Sequence, residues 1–237
     1  KKIKLLQRKG YEVKNFLSIV SNDNDTDTIV YTSKEFQPMV ETFSSKYSFV
    51  GPSVSKLIIE PKERKRKLIY ISLGTINNKN VSFYKNCINA FKDSDVDVIM
   101  SVGRSTDIKS LGNIPNNFEV KNSVEQIAIL QKTDVFVTHS GMNSVNESLY
   151  YGVPMVLFPQ HSEQRMVAKR VVHLGAGIML KEDKSESIKK AVFQVINDNE
   201  YKENATKLSK SFYNAGGSKK AADVILQIIC NSRQVDI

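Results

Sequence analysis

The sequence predicts an α/β protein, a Rossmann-like parallel sheet covered by helices on both faces. Three observations carry this. From Lys67 onward, short and nearly all-apolar runs alternate with stretches of helical length and period. The runs end in small or polar turns, as at Gly74-Thr75 and Gly103-Arg104. An apolar content of 41% in 237 residues suffices for one large domain, or one domain plus a fragment.

Residues 1–53 are organised differently. An amphipathic segment with Ile3, Leu5 and Leu6 precedes Gly10, and the polar run 21–27 reads as loop. Residues 28–32 read as a short strand feeding a turn and a short helix around 36–40. A second extended piece, 47–50, stops at Gly51 and Pro52. These resemble the last elements of a domain whose beginning is missing. So small a remnant cannot bury its own apolar faces, so it is expected to pack on the remainder, pair with another chain, or be poorly ordered. The charged run 60–67 with Pro61 closes a linker over 54–66.

Residues 67–230 carry the regular rhythm. Strands are predicted at 68–73, 96–102, 118–120, 135–138, 155–158 and 177–180. Helices are predicted at 82–91, 125–131, 142–151, 162–173, 187–196, 201–212 and 219–230.

The formal charge of +9 draws much of its excess from Lys1, Lys2, Lys4, Arg8 and Lys9 and from Lys62, Arg64, Lys65, Arg66 and Lys67. No basic stripe interleaved with aromatics borders the polar loops, so the charge is read as a solvated face or mild steering of an anionic ligand, not as a nucleic-acid surface. Cys87 and Cys230 have no disulfide-framework or zinc spacing, and no apolar run reaches transmembrane length. A cytoplasmic protein without a membrane span is expected.

The chemistry concentrates in residues 133–164. A strand ending at Thr138 runs into His139, Ser140 and Gly141, and a helix follows with Asn143, Ser144 and Glu147. First-turn N–H groups of a helix lack backbone partners, so this order makes an anion cradle. His139, Ser140, Asn143 and Ser144 can add side-chain donors, while Ser140 or Asn143 can equally serve only as a helix cap. Glu147 lies one turn beyond Asn143 on the same face and can accept from a sugar diol, or form a surface ion pair. Gly152 closes the helix, a second strand follows, and Glu163 with Gln164 sits in the next loop, where neither is needed for the fold. Val124, Glu125 and Gln126 open a short helix at a neighbouring strand end and can read the edge of a planar base. His161 reads as solvated and His173 as structural. The three-glycine dinucleotide fingerprint and the phosphate loop G-x-x-x-x-G-K-[ST] are both absent.

Glu125-Gln126, Leu130, the run H-S-G-M-N-S-V-N-E from His139, G-V-P at Gly152, Pro159 and Glu163-Gln164 together resemble the nucleotide-sugar signature of the family 1 UDP-glycosyltransferases of GT-B fold. The bacterial macrolide glycosyltransferase subgroup is the nearest likeness. The resemblance covers 67–230, including the turn Ala215-Gly216-Gly217-Ser218; residues 32–52 are similar to the end of that family's N-terminal acceptor domain. It implies that Gln126 and the backbone near Val124 hold uracil, Glu147 the ribose hydroxyls, His139, Asn143 and Ser144 with the helix N-terminus the diphosphate, and Glu163 with Gln164 the donor sugar. Gly74 and Thr75 would face the interdomain cleft and Arg104 would flank the base.

The implied reaction is inverting transfer from a UDP-sugar to a hydroxyl of a macrolide or flavonoid-like acceptor, with no metal required. Two departures stand out. Val124 replaces an aromatic that often stacks on uracil, a loss of about 1–3 kcal/mol if base stacking elsewhere is a guide. Glu163 stands where Asp is usual. None of His139, His161 and His173 matches the family's catalytic base near the start of the acceptor domain, so the chain alone is expected to bind donor weakly and transfer it poorly. Two other readings stay open: an epimerase-type enzyme using Glu147 and His161, and a non-catalytic protein that self-associates through its N-terminal remnant.

Overall fold

The computed structural model describes residues 2–10, 13, 26–54, 64–75 and 79–233. Helix α1 (Lys2–Arg8) comes first, and β1 (Thr28–Val30) then pairs in parallel with β2 (Tyr47–Phe49) as a separate small sheet. The main sheet holds β3 (Lys67–Ser72), β4 (Val96–Ser101), β5 (Phe118–Lys121), β6 (Val135–Thr138), β7 (Met155–Leu157) and β8 (Gly177–Met179). All six are parallel, in the order β5-β4-β3-β6-β7-β8. The helices are α2 (Val81–Phe91), α3 (Gln126–Leu130), α4 (Met142–Tyr150), α5 (Ser162–His173), α6 (Ser185–Asn197), α7 (Asn199–Asn214) and α8 (Gly217–Arg233).

Side-chain alternation divides the core into two layers. Ile69, Ile71 and Val137 join Phe83, Cys87 and Phe91 of α2 and Ile188, Val192 and Val195 of α6 on one face. Leu68, Tyr70 and Phe136 join Val145 and Leu149 of α4, Val171 of α5 and Phe212 of α7 on the other. Strands covered on both faces need apolar residues at every position, which is why they read as continuous runs. The expected parallel sheet with helices on both faces is therefore what the chain forms. Strand order grows outward from β3 to β5 and then restarts at β6 on the opposite side. The loops after β3 and β6 consequently diverge, leaving a crevice at the carboxyl ends of these two strands.

Residues 31–52 pack on this body, the first of the three fates expected for them. Asn146 of α4 is the main tie: its Nδ2 donates to the Tyr31 carbonyl at 2.8 Å and its Oδ1 accepts from the Thr32 hydroxyl at 3.1 Å. Arg170 of α5 donates to the carbonyls of Phe36 and Glu35, each at 2.7 Å. Phe36 meets Phe212 edge-on at 5.8 Å, and the Gly217 N–H donates to the Val50 carbonyl at 2.6 Å. Asn146 is 2% exposed, so replacing it by leucine orphans buried polar groups without a route to water. Asn146→Leu is expected to lower the unfolding free energy by about 1–3 kcal/mol in urea titration. A change within experimental error would mean that these bonds do not hold the segment down.

Three expectations shift in detail. The helix expected around 36–40 is instead a set of turns ending in a 3-10 turn at Val40–Thr42. Pro38 disfavours helical geometry at Gln37, and Met39 adopts a left-handed conformation with φ of 48°. Helices α6, α7 and α8 begin two residues earlier than expected, at Ser185, Asn199 and Gly217. Their first turns are polar or glycine and carry no apolar period; the Asp198 side chain caps α7 by accepting from Glu200 N at 3.0 Å. The strands expected to reach Leu73, Val102, Phe158 and Leu180 each end one residue sooner. The expected loop at 21–25 and most of the linker, 55–63, lie outside the described residues. Among the described residues no helix is long and apolar enough to cross a membrane.

Candidate functional site

The site is built at the end of β6. Thr138 is fully buried and its Oγ1 accepts from Ser140 N at 3.3 Å. Ser140 has a φ of 69°, a conformation that non-glycine residues seldom adopt. The turn sends its side chain inward, so Ser140 is 0% exposed and its hydroxyl has no hydrogen-bond partner among the described residues. Gly141 then serves as N-cap of α4 and cannot supply a capping side chain. The first-turn N–H groups of α4 are left facing the crevice, where an anion can complete them.

His139 stands between two glycines. A Cβ at Gly74 would lie 2.6 Å from the imidazole Cε1, and one at Gly141 would lie 2.5 Å from Nε2. Both contacts are too short for a real side chain, so glycine at each position makes room for the ring. Gly74 also has a φ of 80°. Among the described residues the Nδ1 of His139 is buried without a hydrogen-bond partner, and burial, reinforced by the nearby His161, holds the imidazole below its usual range. At neutral pH the ring is uncharged.

One and a half turns along α4, burial raises the Glu147 carboxyl above the usual range, opposed by a hydrogen bond from Gln126. Gln126 Nε2 donates to Glu147 Oε2 at 2.6 Å and to Ser144 Oγ at 3.3 Å, and its Oε1 accepts from the Tyr70 hydroxyl at 3.1 Å.

Together these groups line a crevice of about 1040 Å³. Gly74, Thr75, Arg104, Val124, Gln126, His139, Gly141, Asn143, Ser144, Glu147, Glu163 and Gln164 all border it, each from the carboxyl end of a strand or the helix that follows. Ser140 is outside the lining, and its side chain is buried. Gln164 was expected to be free of structural duty, but from the first turn of α5 its Oε1 accepts from Gln160 N at 2.9 Å and so ties down the loop ahead of that helix. His161 is outside the lining, and His173 is the exposed last residue of α5. Tyr70, Ser72, Ser101, Asn122 and Ser123 also border the crevice and were not foreseen. A signal for two of them exists. Ser72-Leu73-Gly74 and Ser101-Val102-Gly103 repeat one pattern, their serines pair in register across β3 and β4, and their glycines share φ values of 80° and 81°.

A crevice at a topological switch, with an uncapped helix N-terminus, a neutral imidazole and a half-buried carboxylate, suits a ligand carrying both an anion and hydroxyls. The family described as UDP-glucoronosyl and UDP-glucosyl transferase matches residues 53–214 of the chain. The chain belongs to this family. It is similar to an uncharacterised UDP-glucosyltransferase, YojK, of Bacillus subtilis strain 168, at 39% identity over 230 residues, 94% of this chain and 56% of that protein. It is also similar to the NDP-glycosyltransferase YjiC of the same organism, at 42% identity over 202 residues, 82% of this chain and 51% of that one. Among solved structures, CalG4, the calicheamicin glycosyltransferase, superposes with a TM-score of 0.86 at 29% identity, over 98% of this chain and 60% of that one. The chain thus spans about half the length of the curated relatives it matches.

Proposed function

We propose that the chain is the donor-binding half of an inverting glycosyltransferase that moves a sugar from a UDP-sugar to a hydroxyl of a small-molecule acceptor, macrolide or flavonoid-like. The observation that carries this reading is the arrangement of His139 between Gly74 and Gly141, beside the uncapped N-terminus of α4, with Glu147 further along the same helix. In this reading residues 67–230 form the donor domain and residues 1–53 belong to the end of an acceptor domain. The cytoplasm is the proposed location, and both cysteines are free.

The diphosphate sits at the α4 N-terminus against His139, Asn143 and Ser144. The ribose hydroxyls meet Glu147, the uracil lies along 124–126 with Arg104 at its flank, and the sugar reaches Glu163 and Gln164. In the reaction the acceptor oxygen forms a bond to the anomeric carbon as the bond from that carbon to the diphosphate oxygen breaks. The acceptor proton passes to a base contributed by the acceptor half, and UDP leaves. The task of this half is to stabilise charge gathering on the departing diphosphate, which fixed N–H donors in a recessed site do with little reorganisation.

The epimerase reading is less well supported, because it needs an acid–base pair inside the cleft and His161 lies outside the lining. Calorimetric titration of the folded chain with UDP tests the proposal. Saturable binding at or below about 1 mM, near −4 kcal/mol, is expected; no heat at millimolar UDP overturns it.

A further inference from the structure

Tyr70 lies on β3, in the middle of an apolar run, and is 1% exposed. Its ring stacks on Phe136 of the adjacent strand with centroids 4.6 Å apart and planes 12° from parallel. The two residues are register partners, so backbone pairing and ring stacking fix the phenol together. What is unusual for so buried a ring is that its hydroxyl ends in the crevice, 3.1 Å from Gln126 Oε1.

That bond decides how the Gln126 amide is oriented. With Oε1 held by Tyr70, the two amide hydrogens point to Glu147 Oε2 and Ser144 Oγ. The flipped amide would set a carbonyl oxygen against the Glu147 carboxylate, which is repulsive. Burial pushes the Tyr70 phenol above its usual range, so it stays protonated and keeps donating. Both amide hydrogens of Gln126 are then committed inside the protein, leaving none for the edge of a base.

We infer that Tyr70 is a positioning residue for nucleotide recognition, acting through Gln126 as a strut that aims the Glu147 carboxylate at the ribose diol. Base recognition then falls to the backbone of 124–126 and not to the Gln126 side chain. The inference rests on the ribose role proposed above for Glu147.

The test compares Tyr70→Phe with the unaltered chain, titrating each with UDP and with 2′,3′-dideoxy-UDP, which lacks the diol. Phenylalanine keeps the stacked ring and removes only the hydroxyl, and thermal unfolding of both proteins confirms that the fold survives. Tyr70→Phe is expected to weaken UDP binding by about 3- to 10-fold, the range of one hydrogen bond, and to leave the dideoxy analogue unchanged. Gln126→Leu should give the same diol-specific loss, and the double variant no more than either alone. Equal losses for both nucleotides, or no loss for UDP, overturn the positioning role. If the unaltered chain itself does not prefer UDP over the dideoxy analogue, the ribose reading of Glu147 fails, and the inference fails with it for that separate reason.

Discussion

Replacing His139 by alanine is expected to weaken UDP binding by about 10- to 100-fold, the span of a charge-assisted hydrogen bond, while leaving the fold intact. The imidazole borders the crevice between two glycines, and its Nδ1 has no hydrogen-bond partner among the described residues. Removing it strands no buried partner of that nitrogen. The pH dependence separates a direct phosphate contact from a merely steric effect. Burial holds the free imidazole below its usual range, and a bound diphosphate favours the protonated ring, so UDP affinity should rise as pH falls from neutral toward the range where the free ring titrates.

Folding stability moves the other way. With the folded value depressed below the unfolded one, the unfolded chain takes up the proton first, and stability present above the ordinary imidazole range is lost as pH falls through it. His139→Ala should flatten both trends, measured by calorimetry and by denaturant unfolding between neutral and mildly acidic pH. A variant that binds UDP as tightly as the parent would remove His139 from the site.

Gly74→Ala should harm the protein more, and in two ways. A Cβ there meets the His139 ring at 2.6 Å, and the backbone φ of 80° is strained for any side chain. Stability should fall by about 1–3 kcal/mol, with UDP affinity reduced at least as far as by His139→Ala, because the displaced ring must move toward the crevice. The double variant is informative: with the ring gone the clash is gone, so Gly74→Ala in a His139→Ala background should cost less stability than it does alone. Strict additivity, read from urea midpoints, would mean that the two residues do not press on each other.

The fold was largely legible because strands buried on both faces advertise themselves, and Leu68, Ile69, Tyr70 and Ile71 form such a run. Legibility failed where backbone geometry overrode period, as at Pro38-Met39, and where polar first turns hid a helix start. In the site, His139 to Glu147 could be read because the chemistry is contiguous in sequence. Tyr70 could not, since a tyrosine inside an apolar strand looks like core, and only the partner strand and Gln126 show where its hydroxyl goes. Ser140 is the opposite case. A serine in a polar turn suggests an exposed hydroxyl, but its left-handed backbone turns the side chain inward.

The grip of Arg170 on the Glu35 and Phe36 carbonyls bears on where this protein can be cut. The family match begins at residue 53, which invites trimming there. Such a cut would uncover the flank of Phe212, strand the Asn146 amide inside an open groove and leave the Arg170 guanidinium without either acceptor. A piece that keeps these contacts therefore starts ahead of Tyr31, more than twenty residues before the point that similarity alone would choose.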